Sequence, residues 1–409
     1  MPSRKTLALV GVCALILSAC SAEKDSAAEN KLEAGALTAA EARLGDTIFA
    51  FYLSPQNNAK TFAGFKRNPA YVVLVQPDGS YRTVKTVGMD LGRLAWSDAG
   101  LSFADEEQDY LLRADGLTTV PSPKTDLQQS AFALPGGEGF VAVYNEGSPE
   151  EGRYTNQVVA TTGAGSARYR VEGNYFTNAL CDDTVYGISQ QSGAHSAESA
   201  SLPGLRSKAD PQLEPEMLAR LYPSPGDGQE KVIGWRSAFD TGPIVHHLPC
   251  EDGVITFLSA YQDADGLPHT AIVSWDTDTG KYVERRLVDD NGRPLDRTEL
   301  EAISYDSGSL RDGKLEWFGP EGDIMATDVD TGATTRRFTT GYGPQGAQVA
   351  FTPDSIYTLG DPVDRQTPVT LKQFDRTTGE TLTSFTLDGI SERLSLSLVI
   401  RGVAVRPPA

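Results

Sequence analysis

The hexapeptide WDTDTG at residues 275–280 recurs in altered form as TDVDTG at 327–332 and as FDRTTG at 374–379. In each copy an Asp precedes a Gly by four residues. An Asp side chain accepts hydrogen bonds from the backbone just after it, and Gly adopts positive φ without strain, so this spacing favours a tight turn between two strands. QPDG at 76–79 is a shortened copy. Strands such as 281–287 and 334–338 are predicted to follow these turns.

Outward from these turns, the chain consists mostly of short β-branched or aromatic runs separated by Gly, Asp, Asn and Pro, a pattern typical of strands and turns. The main exception is Glu214 to Tyr222 (EPEMLARLY), which has the periodicity of a helix. A small residue also recurs at the entrance to a strand in successive units. Its copies are Gly100, Gly139, Thr184, Gly253, Gly313 and Ser355, with Thr47 as a first copy.

Units of about 40 to 70 residues with four short strands each are typical of propeller blades. We therefore predict an all-β chain that forms a β-propeller of seven blades. Six or eight blades are the alternatives, because the first and last units compete for one register, and a pair of β-sandwiches is a third. A final strand pair, Leu394 to Ile400 and Gly402 to Val405, is predicted to close the ring against the N-terminal strands near 45–53, which removes exposed sheet edges.

The D-x-x-T-G hairpin resembles the repeats of quinoprotein-like (YVTN-type) bacterial propellers. The resemblance is confined to these turns and implies a fold rather than an activity. Quinoprotein enzymes carry tryptophan docking positions after the turn, whereas this chain has Tyr282, Thr335 and Leu382 there. We therefore predict no cofactor. The four tryptophans are expected in the core: Trp96, Trp235, Trp275 and Trp317.

The N-terminus has a different character. Arg4 and Lys5 precede an uncharged apolar run at 7–17, which is too short to span a bilayer and is followed by Leu17-Ser18-Ala19-Cys20. This segment resembles the bacterial lipoprotein lipobox at all four positions. The resemblance implies that residues 1–19 are a signal peptide and that Cys20 carries a diacylglyceryl group. An ordinary secretory signal with a chance cysteine is the alternative.

The resemblance implies a lipid bilayer as partner, bound through acylated Cys20, and a location on the extracytoplasmic face of the cell membrane. Cys20 is followed by Ser21 and not by an Asp, which would favour retention in the inner membrane, so the sequence is compatible with an outer-membrane location in a bacterium that has two membranes. Residues 20–43 are predicted to be a flexible tether, because they are rich in Ala and Glu and poor in large apolar residues. Residues 44–409 are predicted to be one propeller domain. An insertion at 190–230 is hypothesised to be a cap or a partner-docking arm.

Composition restricts the partners. The whole chain has 36 basic and 55 acidic residues and a net charge of −19. Loss of Arg4 and Lys5 with the signal peptide leaves 34 basic residues, so the mature chain is still more acidic. Nucleic acids and anionic lipid surfaces attract Lys and Arg patches, so we predict no nucleic-acid partner.

Cys181 and Cys250 are the two cysteines left in the predicted folded body, and they occupy the same position in consecutive repeats. Equivalent positions on adjacent blades are neighbours, and an exported protein lies where disulfides persist. We predict a Cys181–Cys250 disulfide, with two buried free thiols as the alternative.

No known catalytic motif is found in the sequence, and no catalytic or metal-binding residue is predicted. The Asp-rich turns, including Asp276 and Asp278, lack the Gly and Glu positions of a calcium-binding loop. His246 and His247 are adjacent on a predicted strand, so their rings point to opposite faces and cannot ligate one ion together. A single one of them could face the central channel.

Two functions are compatible with this pattern. The first is a binding or protein-interaction module at the cell envelope, with an envelope protein or a small ligand as partner. The second is an extracytoplasmic lyase or hydrolase that uses channel carboxylates, with or without a divalent metal.

Overall fold

The computed structural model describes residues 32–408, apart from 56–69, 126, 138, 151–152, 163–164, 190–194, 203, 225–229, 243–244, 343–346, 361–366 and 395–397. Within these residues thirty strands form seven separate sheets. Strands that begin their sheets contact one another in succession around a common axis: β30 with β4, β4 with β8, β8 with β12, and β26 with β30. The chain is a seven-bladed β-propeller, as predicted.

The blades follow one another along the chain. In blades 2 to 7 the first strand lies at the axis and the last at the periphery, whereas the innermost strand of blade 1 is the C-terminal β30. Blade 1 contains β1 (Phe49–Pro55), β2 (Ala70–Val75) and β3 (Tyr81–Thr86), with β30 (Leu398–Val405) innermost. Blade 2 contains β4 (Ala95–Ser97), β5 (Gly100–Ala104), β6 (Gln108–Leu112) and β7 (Leu117–Pro121). Blade 3 contains β8 (Leu127–Ala133), β9 (Gly139–Glu150), β10 (Arg153–Thr162) and β11 (Gly165–Glu172).

Blades 4 and 5 share an irregular boundary. Blade 4 contains β12 (Thr177–Cys181), β13 (Thr184–Ser189), β14 (Glu216–Tyr222) and β15 (Lys231–Arg236). The segment that leads into blade 5 contains three short strands, β16 (Phe239–Gly242), β17 (His247–Leu248) and β18 (Cys250–Glu251). Both β16 and β18 pair with β19 (Val254–Gln262), whereas β17 pairs in parallel with β12 of blade 4. Blade 5 continues with β20 (Pro268–Asp276) and β21 (Tyr282–Arg286).

The last two blades are regular. Blade 6 contains β22 (Leu310–Arg311), β23 (Lys314–Phe318), β24 (Asp323–Asp328) and β25 (Thr334–Thr339). Blade 7 contains β26 (Ala347–Phe351), β27 (Ser355–Gly360), β28 (Val369–Asp375) and β29 (Thr381–Leu387). A short helix, α1 (Ser196–Ser201), and two 3-10 turns, Arg297–Leu300 and Ser391–Arg393, complete the described elements.

The terminal strands close the ring, as predicted, because β30 pairs antiparallel with β1 from Phe49↔Val405 to Pro55↔Leu398. The closing segment differs in one detail from the predicted strand pair. A single strand runs through Gly402 without a turn. A Cβ atom at Gly402 would lie 2.8 Å from the Cα atom of Arg93. Glycine is therefore needed there for the close approach of blades 1 and 2, and it does not end a strand.

The Asp-Gly hairpins have the predicted geometry. The Gly280, Gly332 and Gly379 amides donate to the Asp carbonyls at 3.0, 2.8 and 2.9 Å. Each Asp carboxylate accepts from the Thr before the Gly, at 2.7, 2.9 and 2.6 Å for the backbone amide. Gly280 has φ +67°, and a Cβ atom there would lie 2.0 Å from the Ile233 carbonyl oxygen of blade 4. The turn glycine thus provides both the backbone conformation and the contact with the preceding blade.

Three buried cations join neighbouring blades. Lys124 lies 2.9 Å from Asp109 between blades 2 and 3, and both side chains have no exposed surface. Arg236 of blade 4 pairs with Glu216 at 2.8 Å and donates to Ser259 of blade 5 at 2.7 Å. In blade 7, Arg376 donates to Glu316 of blade 6 at 2.6 Å. Burial lowers the pKa of Lys124, although Asp109 raises it in part.

The predicted helix over Glu214 to Tyr222 is wrong. Residues 216–222 form β14, which lies between β13 and β15 in the middle of blade 4. Met217, Leu218 and Ala219 are consecutive and fully buried, so apolar side chains cover both faces of the sheet there. A short continuous apolar run is compatible with either a buried strand or a helix, and periodicity alone does not separate them.

The ends of the predicted domains also differ from the structure. Because β14 belongs to the blade, the insertion between β13 and β14 ends before Glu216 rather than at 230. At the N-terminus, Leu32 is fully buried and Glu33 accepts from Lys85 at 2.6 Å. The Leu37 amide donates to the Thr83 carbonyl at 2.8 Å. The segment at 32–37 therefore packs on β3, within the span predicted to be a tether.

Candidate functional site: the axial cavity

A cavity of about 720 Å³ lies on the propeller axis. Its walls come from the inner strands β4, β8, β12, β26 and β30 and from the loops at 245–247 and 302–308. Apolar groups such as Trp96, Phe132 and Val349 form part of the wall, and a small set of polar groups faces them. A cavity with apolar walls and a few polar groups is the usual form of a small-molecule site.

Arg93 is the most deeply buried cation of this cavity, with 8% of the residue exposed. Its backbone amide donates to Gln128 Oε1 at 2.7 Å, and its Nη1 donates to the Arg401 carbonyl at 3.2 Å. Its Nε has no hydrogen-bond partner among the described residues. Burial, and then the positive charge of Arg401, lower the pKa of Arg93 to about 9, although Asp90 raises it in part. The guanidinium charge is therefore poorly compensated by the protein.

Arg401 lies on β30, the C-terminal strand that closes the ring, whereas Arg93 precedes β4 of blade 2. Its Nη2 is 3.7 Å from Asp90 Oδ1, and its side chain is 30% exposed whereas that of Asp90 is 3% exposed. The two arginines are 308 residues apart in the sequence. They become neighbours because β30 closes the ring beside the segment that leads into β4.

His246 and His247 both line the cavity, and their rings are held by different blades. His247 Nε2 accepts from the Ala131 amide of blade 3 at 3.2 Å, and its ring lies 5.0 Å from that of Phe132. Burial and the nearby Arg93 lower the pKa of His247 to about 3. Burial, Arg93 and His247 also lower the pKa of His246, while a hydrogen bond with the Phe176 backbone raises it in part. Both imidazoles are therefore neutral at physiological pH.

Several buried polar atoms on the inner strands have no protein partner in the described part of the chain. They are both amide atoms of Gln129, Ser130 Oγ, Asn178 Oδ1 and His246 Nδ1. Gln129 and Ser130 lie on β8, Asn178 lies on β12, and His246 precedes β17. Buried polar groups without partners are costly and rare in native folds. Of these four residues, His246 lines the axial cavity and the other three do not, so we expect water to satisfy the atoms on β8 and β12.

Asp306 is the carboxylate of the cavity wall, but its oxygens are engaged by the protein. Oδ1 accepts from the Gly308 amide at 2.9 Å, and Oδ2 accepts from the Phe351 amide at 3.1 Å. Burial raises the pKa of Asp306 to about 6, against the effect of these hydrogen bonds. Its contacts join the loop before blade 6 to β26 of blade 7, so its geometry is that of a structural group.

The structure joins Cys181 and Cys250 in a disulfide, as predicted, with their Cα atoms 5.3 Å apart. This bond ties the end of β12 to β18 of blade 5. Between them, β17 pairs with β12 through only Asn178↔His247 and Ala179↔Leu248. The disulfide therefore fixes the short segment that carries both cavity histidines.

The other residues singled out in the sequence are Cys20, the four tryptophans and the docking positions of quinoprotein enzymes. Cys20 lies outside the described residues. Among the residues that the structure describes, no three His, Cys, Asp or Glu side chains are grouped to hold a metal ion. Trp275 and Trp317 are 0% and 2% exposed and lie in the core, whereas Trp96 and Trp235 are only partly buried. Tyr282 and Leu382, at the docking positions of quinoprotein enzymes, lie on outer strands and are partly exposed.

Arg93 and Arg401 could not be predicted as site residues from the sequence. Each is an isolated polar residue without a motif around it. Only the ring closure brings them together at the axis.

Two ion pairs join the described part of the insertion between β13 and β14 to the rest of the propeller. His195 Nε2 lies 2.6 Å from Glu230 Oε1, and Glu230 Oε2 accepts from the Glu172 amide at 2.9 Å. Lys208 Nζ lies 2.9 Å from Asp265 Oδ1, in the turn between β19 and β20 of blade 5. The hydrogen bond with Glu230 raises the pKa of His195 against the effect of burial, and Glu198 raises it further. The segment is thus held to blades 3, 4 and 5, and none of its described residues lines the axial cavity.

No helix in the described part of the chain combines the length and apolar character needed to cross a bilayer.

A family model described as the YycP beta-propeller domain matches residues 42–220, which is less than half of the chain. This match agrees with the propeller architecture described above. No curated protein matches the chain.

Solved structures with a similar fold are distant in sequence. The beta-propeller domain of the Trilobed protease from Pyrococcus furiosus is 11% identical, over 87% of this chain and 96% of that one, with a TM-score of 0.49. The acylaminoacyl peptidase of Pyrococcus horikoshii, uncomplexed, is 12% identical over 83% of this chain, with a TM-score of 0.47. This chain spans 53% of that peptidase. The computationally designed Ika8 protein is 15% identical over 71% of this chain and 85% of that one, with a TM-score of 0.38.

Proposed function

We propose that this propeller is a lipid-anchored module on the extracytoplasmic face of a bacterial membrane and that it binds a small ligand in its axial cavity. The observation that supports binding is the buried, poorly compensated guanidinium of Arg93 in a cavity of about 720 Å³. A binding site needs a few polar groups held rigidly against an apolar wall. Inner strands of five blades, closed into a ring, provide that rigidity.

The anchor rests on the N-terminal sequence. Leu17-Ser18-Ala19-Cys20 resembles a lipobox, and the first described residue, Leu32, packs on blade 1. The residues between them can extend over at most about 40 Å. Acylation at Cys20 therefore implies that the propeller lies close to the bilayer surface and is attached to it through the outer edge of blade 1.

Replacement of the acylated cysteine tests the anchor. We expect Cys20→Ser to move the protein from the membrane fraction to the soluble extracytoplasmic fraction, because acyl chains are what holds it to the bilayer. The measurement is fractionation followed by immunoblotting, with Ser21→Ala as the matched control that should stay in the membrane. Retention of the Cys20→Ser protein in the membrane fraction would rule out a lipid anchor at this position.

Native mass spectrometry tests the binding role. We expect the full-length protein, purified from its native membranes in mild detergent, to carry a small molecule that separates from the chain on unfolding. The released molecule can then be identified in the denatured sample. A chain that carries no small molecule, and that gains none after dialysis against a metabolite extract, contradicts the binding role in the axial cavity.

A further inference from the structure

We propose that the axial cavity selects a small oxyanion, a carboxylate or a phosphate group, which Arg93 binds together with Arg401. This proposal rests on the proposed binding function and names its ligand class.

The sign of charge is reversed in the cavity relative to the whole chain. The chain has a net charge of −19. The residues that line the cavity nevertheless include three arginines, Arg93, Arg401 and Arg406, against the single carboxylate of Asp306. Because the oxygens of Asp306 accept hydrogen bonds from the Gly308 and Phe351 amides, that carboxylate is turned toward the protein. The cavity is thus a local positive region in an acidic protein, and such a region concentrates anions.

Within the described residues, the side chain of Arg93 lacks a full set of partners. A guanidinium has five N–H donors, and in this part of the chain Arg93 Nη1 donates to the Arg401 carbonyl whereas Nε has no acceptor. Asp90 is the nearby carboxylate, and it lies 3.7 Å from Arg401 Nη2, so its charge is shared between two guanidinium groups. A buried charge without a matched counter-charge is strongly unfavourable. An oxyanion against Arg93 would supply the missing charge and accept from its fork of donors.

The surrounding groups favour an anion over a cation. His246 and His247 line the same cavity as Arg93, whose positive charge would repel a metal ion there. Arg93 and Arg401 both line the cavity and are therefore the groups proposed to contact the oxyanion.

The test uses the full-length protein in mild detergent and isothermal titration calorimetry at constant ionic strength. The probes are inorganic phosphate, succinate and, as a neutral compound, glycerol. We expect phosphate or succinate to bind at one site per chain, and glycerol not to bind. The stronger of the two probes distinguishes a phosphate ligand from a carboxylate ligand. Binding should also raise the unfolding temperature relative to chloride at equal ionic strength.

Two variants assign the binding to the cavity. Arg93→Met keeps most of the side-chain volume and should weaken binding of the oxyanion probe at least about tenfold, the loss expected for one charge-assisted hydrogen bond. Arg401→Gln should also weaken it, and this variant decides the matter if Arg93→Met does not fold. Arg285→Gln, on the exposed strand β21, is the matched control and should bind like the parent.

The outcomes separate this proposal from the proposed function. If neither oxyanion binds at millimolar concentration while native mass spectrometry finds a neutral ligand, the anion proposal is wrong and the binding function stands. Oxyanion binding that is unchanged in both Arg93→Met and Arg401→Gln would also overturn the proposal, because it would place the anion elsewhere. If no ligand is found by either method, both proposals fail.

Discussion

Glu316→Ala is expected to lower the free energy of unfolding by about 3–5 kcal/mol, because it leaves a buried arginine without its counter-charge. Glu316 is 2% exposed and Arg376 is 2% exposed. Arg376 Nε donates to Glu316 Oε2 at 2.6 Å, and Arg337 pairs with the other carboxylate oxygen. Without Glu316, the remaining hydrogen-bond acceptors of Arg376 among the described residues are the carbonyls of Thr352 and Ser309, which carry no full charge. The nearby Asp306 carboxylate makes no hydrogen bond with Arg376 in this part of the chain, because its oxygens accept from the Gly308 and Phe351 amides.

The measurement is urea unfolding followed by tryptophan fluorescence, to which Trp317, next to Glu316 on β23, contributes together with the other three tryptophans. The double variant Glu316→Leu with Arg376→Met should recover most of the loss, because a well-packed apolar pair is often as stable as a buried ion pair. Glu301→Ala, at an exposed position, is the matched control and should change the unfolding free energy by less than about 0.5 kcal/mol. A loss of less than about 1 kcal/mol for Glu316→Ala would show that Arg376 finds another counter-charge.

The turns of this fold were predictable from the sequence because their determinants are local. An Asp at the start of a hairpin and a Gly four residues later act through hydrogen bonds within six residues. A short sequence pattern is therefore enough to predict the turn. The disulfide was predictable for a related reason. Cys181 and Cys250 occupy the same repeat position, so the repeat itself brought them to adjacent blades. The ring closure by the C-terminal strand was predictable because a propeller repeat requires its last strands to pair with its first.

The β14 strand and the candidate site were not predictable, and the reasons differ. EPEMLARLY satisfies the apolar spacing of a helix, and its strand state depends on pairing with β13 and β15 and on blades 3 and 5, which bury its two faces. Arg93 and Arg401 are 308 residues apart and meet only when the ring closes. Charge pairs such as Arg376 with Glu316 likewise join different blades. Contacts of this kind leave no pattern within a single stretch of sequence.

Removal of the disulfide in the double variant Cys181→Ser with Cys250→Ser is expected to destabilise the protein by about 4 kcal/mol. The two residues are 69 positions apart, and a crosslink over a loop of that length removes about this much conformational freedom from the unfolded chain. The local effect adds to this. Without the bond, β17 is held to blade 4 by two residue pairs, so His246 and His247 should also become more mobile.

The measurement is urea unfolding of the parent and the double variant, with and without dithiothreitol. Dithiothreitol should lower the stability of the parent toward that of the variant and leave the variant unchanged, which separates loss of the bond from the effect of two serines. Equal stability of parent and variant would show that the bond does not constrain the unfolded chain. Because the bond fixes the segment that carries both cavity histidines, the variant should also bind the oxyanion probe more weakly than the parent. An unchanged affinity in a destabilised variant would instead show that Arg93 and Arg401 are positioned by the ring closure alone.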